Sequence, residues 1–90
     1  MSEQLNIHGR ALRAWYEERQ PEALAAMDNP MGFLEAQGEL IEDQIVTLER
    51  EFYPPSKERN EMPFLERVGA LNAARDRARE VVYAEWMPLG

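Results

Sequence analysis

The chain has 90 residues, enough for one small domain, and its 44% hydrophobic and 30% charged residues are typical of a globular protein. It has no cysteine, which excludes disulfides and thiolate metal sites, and its single histidine, His8, excludes a multi-histidine metal site. No apolar run reaches the ~18–20 residues of a membrane span. Met1 leads into polar residues rather than into a signal-peptide core. We expect a soluble, cytoplasmic protein without metal or cofactor.

Acidic residues dominate the charge, which is −7 in total. Most of the excess lies between residues 31 and 53, where Arg50 is the one base among six acids, Glu35, Glu39, Glu42, Asp43, Glu49 and Glu51. Direct nucleic-acid binding is disfavoured, because affinity for a polyanion comes largely from Lys and Arg. A basic protein partner is compatible with this charge.

Apolar spacing predicts helices at about 6–19, 21–27 and 30–53, with Asn29 as a cap and Pro30 in the first turn of the third. The third helix has an apolar seam with alternating steps of three and four residues, namely Met31, Leu34, Gly38, Ile41, Ile45, Leu48 and Phe52. Gly38 costs about 1 kcal/mol of helix propensity relative to alanine, which a close helix crossing would offset. Pro54 and Pro55 should end this helix.

A polar loop is expected at 55–59, with Asn60 as the N-cap of a last helix at about 61–86. The apolar stripe of that helix is centred on Phe64, Leu71 and Ala78 and flanked by Val68, Ala74, Val81 and Val82. No segment alternates with period two, so the fold is predicted to be all-α. We expect residues 1–90 to form a single small helical bundle, in which the two long helices form an antiparallel hairpin and the N-terminal helix packs across it.

Candidates for chemistry are few. His8 is the one imidazole, and its neighbours lack the spacing of a metal ligand pair, so we expect it to lie near the end of a surface helix. The sequence has no phosphate loop, no dinucleotide fingerprint and no glycine-rich turn that would form an oxyanion hole beside a serine. These observations predict a protein that is not an enzyme.

Glu35, Glu39 and Asp43 follow one another at four-residue intervals, so on a helix they form a row with ~6 Å between neighbours, and Glu42 lies beside them. Such a row can imitate a nucleic-acid backbone for a basic protein cleft, with Glu49 as a further candidate contact. The more common explanation for such a row is a solvated face opposite Leu34. Metal binding is not expected, because one straight helix face cannot surround a cation.

The basic cluster of the last helix comprises Arg67, Arg75, Arg77 and Arg79. Arg75 lies at the edge of the apolar stripe, where a guanidinium needs a carboxylate or carbonyl partner, and an acid on the facing helix is the natural one. Phosphate binding by this cluster is the alternative. A symmetric homodimer through Tyr83, Met87 and Leu89 is also left open.

Two segments resemble the TnpV-type proteins, small helical proteins encoded on transposons and related elements. The last helix is similar in Leu71-Asn72, Arg75, Arg77-Ala78 and Glu80-Val81-Val82. Residues 15–21 resemble the family's aromatic-Leu-x-Glu-His-x-Pro segment, with Arg19 in place of the histidine. The resemblance covers about residues 9–88. It implies an accessory protein of a mobile element or phage, and it carries no catalytic residues with it.

Two functional hypotheses follow. The first is a non-enzymatic interaction module that inhibits or assists a basic, nucleic-acid-binding protein, such as a nuclease, a recombinase or a CRISPR-type host defence effector. Its contact residues would be Glu35, Glu39, Glu42, Asp43 and Glu49. The alternative is a small DNA-binding regulatory or recombination factor that uses the four arginines of the last helix.

Overall fold

The computed structural model describes residues 5–89, so the polar start expected at Met1 lies outside the described part. Five helices account for 82% of it, and no strand occurs among these residues, which confirms the all-α prediction. None of the described helices is long and apolar enough to cross a bilayer. The helices are α1 (Ile7–Arg19), α2 (Pro21–Ala25), α3 (Pro30–Phe52), α4 (Ser56–Glu61) and α5 (Phe64–Trp86).

The starts of α1 and α3 are fixed by asparagine side chains. Asn6 Oδ1 accepts a hydrogen bond from the Gly9 N–H at 2.7 Å, and Asn29 Oδ1 accepts one from the Gly32 N–H at 3.1 Å. Each bond satisfies a backbone donor that has no partner within the helix. The predicted cap at Asn29 is therefore confirmed.

Two helix boundaries differ from prediction. Most of the expected polar loop at 55–59 belongs to α4, which continues to Glu61. Asn60 therefore lies inside a helix and caps nothing, and α5 begins at Phe64 instead of about residue 61. Met62 precedes a proline, which disfavours helical backbone, and it is extended, with φ −83° and ψ 142°. This residue separates α4 from α5. In addition, α2 ends at Ala25, two residues earlier than expected.

The chain divides into two compact units whose boundary falls within α3, between Asp43 and Gln44. In the first unit, α1 crosses α3 at two buried glycines. A Cβ added to Gly38 would lie 2.9 Å from the backbone nitrogen of Gly9, and one added to Gly9 would lie 3.1 Å from the carbonyl oxygen of Leu34. The close crossing predicted at Gly38 is confirmed.

The seam of α3 is buried in its middle and more open at its ends. Leu34, Ile41 and Ile45 are buried, whereas Met31 is 40% exposed and is not part of the core. Near Met31 it is Phe33 that contacts α1, since its ring meets that of Tyr16 edge-on at 5.9 Å. The remaining buried apolar side chains are Leu5 and Leu12 in the first unit and Ala74, Ala78, Val82 and Met87 in the second.

In the second unit, α3 and α5 run antiparallel. Trp86 Nε1 donates to Gln44 Oε1 at 2.8 Å, and further along α3 the Arg77 guanidinium lies 4.2 Å from the Phe52 ring centroid. From Gln44 to Phe52 the residue numbers on α3 rise, while those of the contacting residues on α5 fall from Trp86 to Arg77. The two helices therefore form the predicted antiparallel hairpin. The predicted stripe of α5 is wrong in its first half, where Phe64 is 67% exposed. The reason is that α3 ends at Phe52, opposite Arg77, so the earlier turns of α5 extend beyond it.

Candidate functional site

Three carboxylates form the most distinct surface feature of the first unit. Glu35, Glu39 and Asp43, called here the carboxylate row, are all exposed on α3. Four-residue spacing places neighbouring side chains ~6 Å apart along the helix axis. Within residues 5–89, no Lys or Arg side chain forms an ion pair with any of the three. The row therefore offers its full charge to solvent or to a ligand.

Glu42, the fourth predicted contact, belongs to the packing of α1 on α3. Its Oε1 accepts a hydrogen bond from His8 Nε2 at 2.6 Å. The His8 side chain is only 2% exposed, so the expectation of a surface histidine is wrong. The crossing of Gly9 on Gly38 brings the first turn of α1 against α3 and carries His8 into the interior. Nothing in the local sequence of α1 indicated this partner, because it lies 34 residues away.

Replacing Glu42 with alanine is expected to lower the free energy of unfolding by about 1 kcal/mol, because buried His8 loses a hydrogen-bond acceptor that is itself partly screened by solvent. The matched change Glu35→Ala, in the exposed row, should stay within about 0.5 kcal/mol of the wild type. Urea unfolding followed by circular dichroism measures both. Equal effects of the two substitutions would contradict this assignment of Glu42.

Glu49 also takes part in packing, here in the second unit. Its side chain is 17% exposed, and Oε2 lies 3.7 Å from Nη1 of Arg75. The expected acid partner of Arg75 on the facing helix is thereby confirmed. Because Glu49 is mostly covered and paired with a cation of the same unit, it presents little charge to a ligand.

Arg77 lies on a different side of α5 from the other three arginines. Arg77 lies about 160° around the helix from both Arg75 and Arg79. It stacks on Phe52, while Arg79 Nη2 lies 3.3 Å from Asp76 Oδ1. Arg67 is half-buried. These arginines do not form one basic face, and three of them are engaged by neighbouring side chains of the second unit.

A half-open cleft of about 610 Å³ follows the end of α3, lined in part by Arg50, Glu51 and Tyr53. Its other cation, Arg59, donates from Nη2 to Ser56 Oγ at 2.7 Å and lies 4.8 Å from the Tyr53 ring centroid. The Nε of Arg59 is buried without a hydrogen-bond partner. The Glu51 carboxylate lines the same cleft as Ser56, and no histidine is among the described residues that line it.

Among residues 5–89, no group of three or more His, Asp or Glu side chains is placed so that it could hold a metal ion. Sequence reasoning missed the cleft because α4, which supplies Ser56 and Arg59, was expected to be a loop. It also missed the His8–Glu42 contact, which depends on the helix crossing.

Comparison of the chain with protein-family models, with curated proteins and with solved structures finds no match. The similarity to TnpV-type proteins therefore remains a prediction.

Proposed function

We propose that this protein is a non-enzymatic interaction module whose carboxylate row binds a basic, nucleic-acid-binding protein, such as a nuclease, a recombinase or a CRISPR-type defence effector. One observation carries the proposal. Three exposed carboxylates lie along one face of a helix, and no Lys or Arg side chain of the described chain pairs with them.

The spacing of the row favours joint action. Neighbouring carboxylates lie ~6 Å apart along the axis, which is shorter than the Debye length of ~8 Å at physiological ionic strength. The electrostatic potentials of neighbouring carboxylates therefore overlap, because dissolved salt screens them only in part over this distance. A basic cleft that normally holds phosphates would be attracted to this field, which raises the encounter rate and competes with nucleic acid.

Packing behind the row supports the proposal further. Ile41 lies on the opposite side of α3 and is 0% exposed, and Gly38 is in close contact with α1. The backbone that carries the carboxylates is thus held in place before binding. A pre-organised surface loses less conformational entropy on association than a flexible acidic tail would.

The biological setting is part of the proposal. The similarity of the last helix to TnpV-type proteins suggests an accessory or inhibitory protein of a mobile element or phage. A protein that occupies the nucleic-acid cleft of a recombinase or a defence nuclease would fit that setting, and it would need no catalytic group.

Reversing two charges of the row, in Glu39→Lys/Asp43→Lys, is expected to abolish partner binding while leaving the melting temperature within a few degrees of the wild type. The assay measures displacement of fluorescent duplex DNA from a purified CRISPR nuclease, a transposon recombinase and a non-specific nuclease. The wild type should displace DNA from at least one of them. The matched control Glu66→Lys/Glu80→Lys changes the net charge equally at exposed positions of α5 and should compete like the wild type.

Equal competition by the row variant and the wild type, or no displacement from any of the three proteins, would contradict the proposal. The DNA-binding alternative is tested directly by a gel shift with duplex DNA. Retardation that falls steeply with salt would favour Arg67, Arg75, Arg77 and Arg79 as the binding residues in place of the carboxylate row.

A further inference from the structure

The cleft at the end of α3 holds hydrogen-bond donors that the described chain leaves unused. Its volume of about 610 Å³ is that of a small-molecule site, and the described residues that line it lie between positions 50 and 59, within the second unit. Arg50 is exposed and pairs with no carboxylate among residues 5–89. Arg59 donates one hydrogen bond there, to Ser56. The cleft therefore offers two guanidinium groups with N–H donors to spare.

Contacts inside the cleft hold the Arg59 side chain in place. Its guanidinium lies 4.8 Å from the Tyr53 ring centroid, and its Nη2 donates to Ser56 Oγ at 2.7 Å. Because Ser56 Oγ accepts this bond, the hydroxyl keeps its own proton to donate. The Nε of Arg59 is buried without an acceptor, which is unfavourable for a hydrogen-bond donor. A bound anion with several oxygens would supply acceptors to this group of donors.

The local charge favours an anion, although the whole chain carries −7. Two arginines line the cleft, and Glu51 is the one acid among the described residues that do so. Guanidinium groups bind phosphate oxygens through paired hydrogen bonds, and the Ser56 hydroxyl adds a further donor. Glu51 repels the anion itself. It is exposed and forms no ion pair within residues 5–89, so it is available to accept a hydrogen bond from a hydroxyl group of the same ligand.

We propose that this cleft binds a small phosphate monoester that carries hydroxyl groups, such as a sugar phosphate. The phosphate lies toward α4, where Arg59 and Ser56 donate to it, and Arg50 balances its second negative charge. The sugar hydroxyls lie toward the end of α3, because the C-terminal carbonyls of a helix and the Glu51 carboxylate disfavour anions but accept hydrogen bonds. The site uses no residue of the carboxylate row, which belongs to the first unit.

Isothermal titration calorimetry of the whole protein tests the site with ribose 5-phosphate, inorganic phosphate and ribose. Ribose 5-phosphate should bind saturably and more tightly than inorganic phosphate, and ribose should not bind. Arg59→Gln and Arg50→Gln should each weaken binding about tenfold, because each removes charge-assisted hydrogen bonds. The matched control Arg10→Gln, which makes the same charge change at an exposed arginine of α1, should bind like the wild type.

Circular dichroism checks that each variant folds. Because Arg50 is exposed and unpaired within residues 5–89, Arg50→Gln tests the proposal even if Arg59→Gln disturbs α4. Glu51→Ala tests the orientation of the ligand. It should bind inorganic phosphate more tightly, because a like charge is removed, and it should lose the preference for ribose 5-phosphate.

Nuclear magnetic resonance shows whether the ligand reaches Arg59. The arginine Nε–H signal that disappears in Arg59→Lys belongs to this residue, and it should shift as ribose 5-phosphate is added. Four results would overturn the proposal: no saturable binding by the wild type, equal affinities for ribose 5-phosphate and inorganic phosphate (an adventitious ion only), wild-type affinity in Arg50→Gln, or an Arg59 signal that does not move. Equal weakening in Arg10→Gln, or a preference for ribose 5-phosphate that survives Glu51→Ala, would overturn it as well.

Discussion

Ile41→Ala is expected to lower the free energy of unfolding by about 2–5 kcal/mol, because it removes buried methyl groups and leaves a cavity that the surroundings fill only partly. Ile41 is 0% exposed and lies in the seam of α3 between buried Leu34 and Ile45. A domain of this size has a total stability of roughly 5–13 kcal/mol, so one substitution removes a large part of it. Urea unfolding at constant temperature gives the value.

The neighbouring residue provides the control. Leu40 is 45% exposed and lies about 100° around the helix from Ile41, and Leu40→Ala removes as many carbon atoms. We expect a loss below about 1 kcal/mol, since much of this side chain is already in water. If Leu40→Ala destabilised the protein as much as Ile41→Ala, the assigned orientation of α3, and with it the outward direction of the carboxylate row, would be wrong.

Gly38→Ala is expected to destabilise the protein by about 2–3 kcal/mol, although alanine is the better helix former by about 1 kcal/mol. The new Cβ would lie 2.5 Å from Asn6 Oδ1, 2.9 Å from the Gly9 nitrogen and 3.0 Å from the Gly9 Cα. Two of these three atoms are backbone, so α1 itself must shift. The shift also disturbs the hydrogen bond by which Asn6 caps α1.

At another helical glycine, Gly69, substitution with alanine is expected to raise stability instead of lowering it. A Cβ on Gly69 meets nothing within 4 Å, and its φ is not positive, so Gly69→Ala should stabilise the protein by about 0.5–1 kcal/mol through helix propensity. Chemical denaturation of the two variants side by side measures the difference. Stabilisation by Gly38→Ala would show that α1 and α3 are not in close contact there.

Local signals in the sequence were sufficient for most helices. Asn29 and Pro30 marked the start of α3, Pro54 and Pro55 its end, and the three-four spacing identified Ile41 and Ile45 as core. The predicted end of the polar loop is wrong, because Asn60 lies inside α4 and caps no helix. The conformational restriction that Pro63 places on Met62 was the stronger signal for where α5 begins.

Contacts between distant segments were less predictable. His8 was expected at the surface because its own helix offers it no partner, and Glu42 becomes one only once Gly9 crosses Gly38. Likewise, the stripe of α5 was correctly identified as apolar, but its burial depends on how far α3 extends alongside it. Spacing within a helix predicts a face, whereas the length of the neighbouring helix decides how much of that face is covered.

The carboxylate row was predictable because its members lie on a single helix, away from the buried seam. Their exposure follows from the same periodicity that places Ile41 inside. Glu42 differs because it lies closer to the edge of the buried seam, within reach of α1.

The central claim is tested most directly by measuring how fast the row variants associate with the protein from which the wild type displaces DNA. We expect Glu35→Gln, Glu39→Gln and Asp43→Asn each to slow association a few-fold, with smaller effects on dissociation and with differences that shrink as salt rises. Glu66→Gln, on α5, should leave the rate unchanged. If the variant with all three row carboxylates neutralised associates as fast as the wild type at low salt, the row is only a solvated face.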